Sequence, residues 1–364
     1  MQFLLDANGN KDKYYFSFEA SAQRRTPLKL SPRTISAIPH EIPSQLEVKI
    51  VAKPKIETIS DLIKFAKDNP IRSGIQYKNV NMKALHNILP FLNEINGMIG
   101  LTSIKKELTN QIIYYLQPYN TGDYKHTIIA GPPGTGKTEL AKLIANIFSH
   151  LGIFGDGVVK FKKATRSDLI AGYLGQTAIK TNEVIKSALN GVLFIDEAYS
   201  IGGNMDKKDA YSKECIDTLC ESLSVHKDNL MVVIAGYEDE LNNCFFSYNQ
   251  GMKSRFAWKY TIDGYSAEEL YCIFISKLTM FRPFNHGKEQ MIHWFSKRIH
   301  DFPSFGRDIE TFISKIKIVY ANRMFCCQCE ISTSITMDDV VAGHALMCEM
   351  NAKPIPVVNY SFYS

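Results

Sequence analysis

The segment Gly131-Pro-Pro-Gly134-Thr-Gly136-Lys137-Thr138 constrains this chain more than any other. It fits G-x-x-x-x-G-K-[ST] and lies between an apolar run, His126–Ala130, and an amphipathic pattern, Glu139–Leu151. A strand that enters a glycine-rich turn and leaves it as a helix can do one thing well. With few Cβ atoms in the way, successive backbone N–H groups converge on phosphate oxygens at the positive end of the helix. Gly131, Pro132, Pro133, Gly134, Thr135 and Gly136 are the expected cradle, with Glu139 grouped beside them in the first helical turn. Lys137 supplies a mobile cation for the outer phosphates, and Thr138 a hydroxyl for Mg²⁺.

Such a site needs a second apolar strand ending in an acid, and Gly191-Val-Leu-Phe-Ile-Asp196-Glu197-Ala provides it. Asp196 is expected to share the metal with Thr138. Glu197, one residue on, is expected to polarise the attacking water. The pair favours hydrolysis of ATP over nucleotide binding alone.

Further strand-like runs at Val158–Lys162, Leu230–Ala235 and Lys259–Ile262 alternate with helical patterns and lack tight hairpins. This predicts the α/β class of the P-loop NTPases, a three-layer αβα parallel sheet. After about Ser266 the strands stop. Helical periodicity at Ala267–Thr279, Gln290–Asp301, Ile309–Arg323 and Asp338–Met350 predicts a small helical lid domain. The predicted organisation is an N-terminal extension over 1–95, an α/β nucleotide domain over 96–265, a lid over 266–352 and a tail over 353–364.

The extension reads as a hairpin (Gln2–Leu5 and Tyr14–Glu19), an extended stretch spaced by Pro27, Pro32, Pro39, Pro43 and Pro54, then helices at Ser60–Asp68 and Val80–Glu94. All of the net charge of +5 sits there: residues 1–95 hold 14 Lys/Arg against 9 Asp/Glu, and the remaining 28 of each sign cancel. A uniformly basic nucleic-acid binder is not patterned this way. The basic arm Arg24–Arg33 reads first as a solvated linker. Eight cysteines in 364 residues make no disulfide scaffold, so Cys215, Cys220 and Cys272 read as reduced thiols. Cys326-Cys327-Gln-Cys329, with Cys348 further on, has no His at ligand spacing and reads as helix packing. No apolar run approaches the length of a membrane span, and Met1–Asp6 carries no basic stretch ahead of its apolar residues. A cytoplasmic or other reducing compartment, with no membrane partner, is expected.

Three further segments make a resemblance specific: Asp168-Leu-Ile-Ala-Gly-Tyr173-Leu174-Gly175-Gln-Thr-Ala178, Gly191–Ser200 and Ala235-Gly-Tyr237. Together with the phosphate loop, they resemble the AAA+ ATPases of the CbxX/CfqX, stage V sporulation protein K-like type, from about Asn96 to Arg323. The resemblance implies a homo-oligomer, usually a hexameric ring, that couples ATP hydrolysis to remodelling of a protein client. It implies a pore loop at Tyr173, Leu174 and Gly175, and an arginine finger at Arg255 that acts on the neighbouring subunit's nucleotide. It also implies a phosphate-sensing arginine on the lid at Arg307, and an adenine-pocket segment at Ile99 and Gly100. The usual polar sensor at the end of the fourth strand is missing, with Tyr237 its candidate replacement. Two other readings share this core: a nucleic-acid motor, for which Lys207-Lys208 is the one basic pair placed to line a pore, and an adaptor with little turnover. Client choice is expected to rest with residues 1–95.

Overall fold

The structure is a computed structural model. It describes residues 47–49, 55–72, 75–77, 79–117, 122–154, 160–173, 175–202, 209–278, 287–326 and 334–351. The expected hairpin, most of the Pro-spaced stretch, the basic arm, Leu174, Lys207-Lys208, Cys327, Cys329 and the tail 353–364 lie outside them. The described residues fall within one compact unit.

Two short parallel strands, β1 (Glu47–Lys49) and β2 (Ile75–Tyr77), are joined through the helix Ile59–Asp68. The main sheet has β3 (Thr127–Ala130), β4 (Lys160–Ala164), β5 (Gly191–Ile195), β6 (Leu230–Gly236) and β7 (Trp258–Thr261). Its order is β4-β5-β6-β3-β7, every pair parallel. The expected strand at Val158–Lys162 overlaps β4, which runs on to Ala164; Val158 and Val159 lie outside the described residues. Strand β4 is the sheet's edge, where exposed lysines are the usual guard against pairing with another chain.

Alternation along the strands builds two cores, one on each face of the sheet. Ile129, Phe194, Val233 and Tyr260 point to one face, under the helices Ile59–Asp68, Met82–Gly97, Thr102–Tyr115 and Lys137–His150. Ile128, Leu193, Ile195 and Ile234 point to the other, under Thr177–Ala188 and Ala210–Val225. This is the three-layer αβα arrangement. The lid, with helices Ala267–Lys277, Lys288–Ser296, Gly306–Cys326 and Met337–Asn351, has its own aromatic core of Phe274, Phe295, Phe302 and Phe312.

Residues 59–97 differ from the reading that set 1–95 apart. Ile59, Leu62, Leu85, Ile88 and Leu92 are buried in the same core as Phe148 and Val233. The helix Met82–Gly97 also runs through Pro90. Proline removes one backbone donor and crowds the preceding turn, but burial of this helix on both sides of it outweighs that cost.

Candidate functional site

Strand β3 delivers the chain into the phosphate loop, whose geometry its glycines permit. Gly134 (φ 68°) and Gly136 (φ 82°) take left-handed backbone conformations, and the helix Lys137–His150 starts directly behind Gly136. Gly134 also lies against the lid: a Cβ there would sit 1.8 Å from the Ser304 carbonyl oxygen. The Gly306 N–H donates to the Gly134 carbonyl at 3.1 Å. Tyr265 Oη donates to the Thr135 carbonyl at 3.0 Å, a second link between loop and lid.

One cavity of about 190 Å³ brings most of the expected residues together. Gly134, Thr135, Gly136, Lys137, Thr138 and Glu139 line it from the loop, Asp196 and Glu197 from the end of β5, and Arg307 from the lid. Pro133 also lines it, whereas Gly131 and Pro132 contribute carbonyls that Lys137 Nζ meets at 2.9 and 2.7 Å. Burial lowers the Lys137 pKa, with Asp196 acting in the opposite direction. The Glu139 carboxylate is paired with Lys142 at 2.7 Å. Ile99 packs on the lid core, and Gly100 lies against Tyr265 and Glu269. Neither lines this cavity; they occupy the seam between the loop's flank and the lid.

Thr138 Oγ1 donates to Asp196 Oδ2 at 3.2 Å, and Lys163 Nζ, from the edge strand, meets the same oxygen at 2.8 Å. A cation therefore already stands on the carboxylate assigned to Mg²⁺. A hydroxyl and a carboxylate oxygen side by side are the hard donors that ion takes, so the residues fit it. Glu197 has φ 48°. A non-glycine residue held there costs on the order of 1–2 kcal/mol, and such strain clusters at working sites.

Sequence reasoning missed Lys163, Arg166 and Tyr199. Arg166 donates to the Ser200 and Ile201 carbonyls at 2.7 and 2.6 Å, pinning the turn behind Glu197, and pairs with Asp209 at 3.1 Å. Tyr199 stacks on Tyr237 with ring centroids 5.5 Å apart. Burial first, then the charge of Glu197, push the Tyr199 phenol up to about 12. Tyr237, the candidate for the missing sensor, lines the cavity with Lys137 Nζ 5.3 Å from its ring centre.

Arg255 is not brought to this cavity. Its Nε donates to Ser224 Oγ at 2.7 Å, and its charge bears on His126, which precedes β3. The phosphate loop leaves the opposite end of that strand. At 3.3 Å per residue, the strand alone puts about 13 Å between them. Tyr173 is 73% exposed.

The fold and this cavity define a P-loop ATPase of the AAA class. The defining pattern of AAA, the ATPase family associated with various cellular activities, matches residues 127–256. A cfxQ-like protein of Acanthamoeba polyphaga mimivirus is 34% identical over 274 residues, 74% of this chain and 67% of that protein. The CfxQ homolog of Galdieria sulphuraria is 34% identical over 247 residues, 67% of this chain and 78% of that one. The chain belongs to the CfxQ-like family of AAA ATPases. The ESX-1 secretion system protein EccA1 of Mycobacterium tuberculosis is 38% identical over 186 residues, and the match spans only 32% of its length. The AAA domain of FIGL-1, crystallised with ADP, has the same fold, with a TM-score of 0.51, 18% identity, and coverage of 69% of this chain and 83% of that one. Among the described residues no helix is long and apolar enough to cross a membrane.

Proposed function

We propose that this chain hydrolyses ATP with Mg²⁺ in a hexameric ring, where each site is completed by Arg255 of the adjacent subunit, and that the ring works on a protein client. The observation that carries the reading is the placement of the charged and hydroxyl groups. Lys137, Thr138, Asp196, Glu197 and Arg307 converge on one cavity, while Arg255 stands at the far end of the strands. A second cavity of about 650 Å³, lined by Lys163, Arg166 and Ser200, meets the first at Asp196 and Glu197, and it leaves those acids approachable from outside the subunit.

In this reading Lys137 leaves the loop carbonyls for the outer phosphates, and Arg307 approaches them from the lid. Thr138 and Asp196 would hold the metal, which would displace Lys163 from the carboxylate. When bound, Mg²⁺ neutralises charge on the phosphate oxygens. Glu197, which lines the cavity, takes up the proton of the attacking water. Tyr199 and Tyr237 wall off that side. The exposed Tyr173, with Leu174 and Gly175, offers an aromatic contact that tolerates many client sequences. A protein client also agrees with EccA1 being a secretion-system protein.

Mixing two inactive variants tests the arrangement. Glu197→Gln and Arg255→Ala should each lower turnover at least ~10²-fold alone. In a closed ring mixed at equal parts, about a quarter of the interfaces pair an intact Glu197 with an intact Arg255, and turnover should return to about that share. Mixtures as inactive as their parts would overturn the trans assignment.

A further inference from the structure

Within the lid, far along the chain from the phosphate loop, Asp301, His344 and Cys348 lie with one ligand atom each inside 4.8 Å of the others. His344 and Cys348 are one turn apart on the helix Met337–Asn351, and Asp301 closes the short turn Ile299–Asp301. The sequence reading found no His at ligand spacing near Cys348; His344 is that residue, and the missing partner was Asp301, brought in by the fold.

Two partners converge on one ring nitrogen. His344 Nε2 is 3.0 Å from Asp301 Oδ2 and 3.4 Å from Cys348 Sγ. A ring nitrogen carries either one proton or one lone pair, so it can satisfy only one of them well. A metal ion removes the conflict by taking a lone pair from all three. Bonds of about 2.0–2.3 Å to N, O and S in a tetrahedron put the ligands roughly 3.3–3.6 Å apart; the two spacings to His344 Nε2 are within a few tenths of an ångström of that, and Asp301 and Cys348 lie within 4.8 Å of each other. The imidazole is held by aromatic neighbours, its centre 5.1 Å from Trp294 and 6.1 Å from Phe302, and is only 14% exposed. One thiolate, one imidazole and one carboxylate select a borderline-soft ion over Mg²⁺ or Ca²⁺.

We propose that Asp301, His344 and Cys348 form a zinc-type site that clips the turn before the phosphate-facing lid segment to the C-terminal lid helix. Asp301 precedes Phe302, which is fully buried in the lid core, and the segment that follows brings Gly306 and Arg307 to the phosphate loop. An ion at the turn therefore fixes the base of that segment. The ion displaces the Cys348 thiol proton to solvent, and no electron is transferred.

Co²⁺ titration of the chelator-stripped, reduced, full-length chain reads this out. Thiolate-to-cobalt charge-transfer absorption with tetrahedral d–d bands is expected, displaced by Zn²⁺. The number of thiolate-bound Co²⁺ per chain should fall by one in Cys348→Ser, and again in a separate Asp301→Asn variant, both folded by circular dichroism. Saturating Zn²⁺ should raise the wild-type Tm by about 5 °C and leave that of Cys348→Ser unchanged. An unchanged Co²⁺ count in Cys348→Ser, or no thiolate absorption from the wild-type chain, overturns the site.

Discussion

Two glycine-bearing loops of this molecule are built on opposite terms. In the phosphate loop, a Cβ on Gly134 would enter the Ser304 backbone, and one on Gly131 would come within 2.8 Å of Ile262 Cβ. In the loop that carries Tyr173, a Cβ on Gly172 or Gly175 meets nothing within 4 Å among the described residues. The first loop's glycines measure how closely the lid and β7 approach it. The second loop's glycines have no such neighbour among the described residues. What the phosphate loop touches is already in the chain, whereas the proposed work of Tyr173 needs a surface from outside it.

Gly134→Ala is the hardest test of that contrast. It combines left-handed strain of about 1–2 kcal/mol with overpacking of about 1–3 kcal/mol against backbone that has no rotamer to shift. ADP affinity, measured by calorimetry, should fall by close to 10³-fold as the lid is driven off the loop. An affinity within tenfold of wild type would show that the contact with Ser304 is not built into the binding state.

Acid separates the two loops next. The strand that feeds the phosphate loop is preceded by buried His126, whose Nδ1 accepts from the Val232 N–H at 3.0 Å while Nε2 meets the Leu223 carbonyl at 3.3 Å. Both bonds suit the neutral ring, and burial lowers its pKa to about 4. The unfolded chain takes up that proton below about 6.5. The sign follows: stability is whole above that value and is lost as pH falls toward 4, by about 3 kcal/mol in all. Asp168 and Asp209, whose pKa values are lowered, withdraw their contributions only at lower pH, below about 3.8. Denaturant unfolding at pH 7 and pH 4.5 checks this. His126→Gln, whose amide can make both bonds without titrating, should flatten the difference. An equal slope in that variant would assign the acid loss elsewhere.

The same contrast explains what could be read from the sequence. The convergence of Lys137, Thr138, Asp196 and Glu197 on one cavity was legible because the two motifs place a strand-to-helix turn beside the end of a second apolar strand. The sheet and the lid were legible from periodicity. Lys163 was not, because its approach to Asp196 depends on β4 pairing with β5 in one register, Ala164 opposite Ile195. Arg166 and Tyr199 join the site through tertiary contacts that no local pattern records. The helices Ile59–Asp68 and Met82–Gly97 looked separable because amphipathic periodicity shows that a face is buried and not against what. Cys348 looked like packing because Asp301 is 43 positions from His344.

Tyr173→Ala probes the open loop itself. An exposed aromatic makes no packing to lose, so basal ATPase should stay within about twofold of wild type. Client remodelling should drop by at least about tenfold, assayed on a client trapped with the Glu197→Gln protein and ATP. Remodelling equal to wild type would break the proposed link between this loop and a polypeptide, and would leave the phosphate site untouched.

The smallest effects belong to the glycines beside it, and there the sign is informative. Gly175 has φ 79°, so Gly175→Ala carries left-handed strain of about 1 kcal/mol but no clash. Gly172 has no positive φ and, among the described residues, no neighbour for a new methyl group. Gly172→Ala should therefore leave stability unchanged or raise it by about 0.4–1 kcal/mol, through the entropy the unfolded chain gives up. Thermal unfolding of the two variants, with ATPase as the control for the phosphate loop, gives the order Gly172→Ala, wild type, Gly175→Ala. A Gly172→Ala protein as damaged as Gly134→Ala would mean that the space around this loop is filled by a surface outside the described residues, such as the neighbouring subunit of the proposed ring.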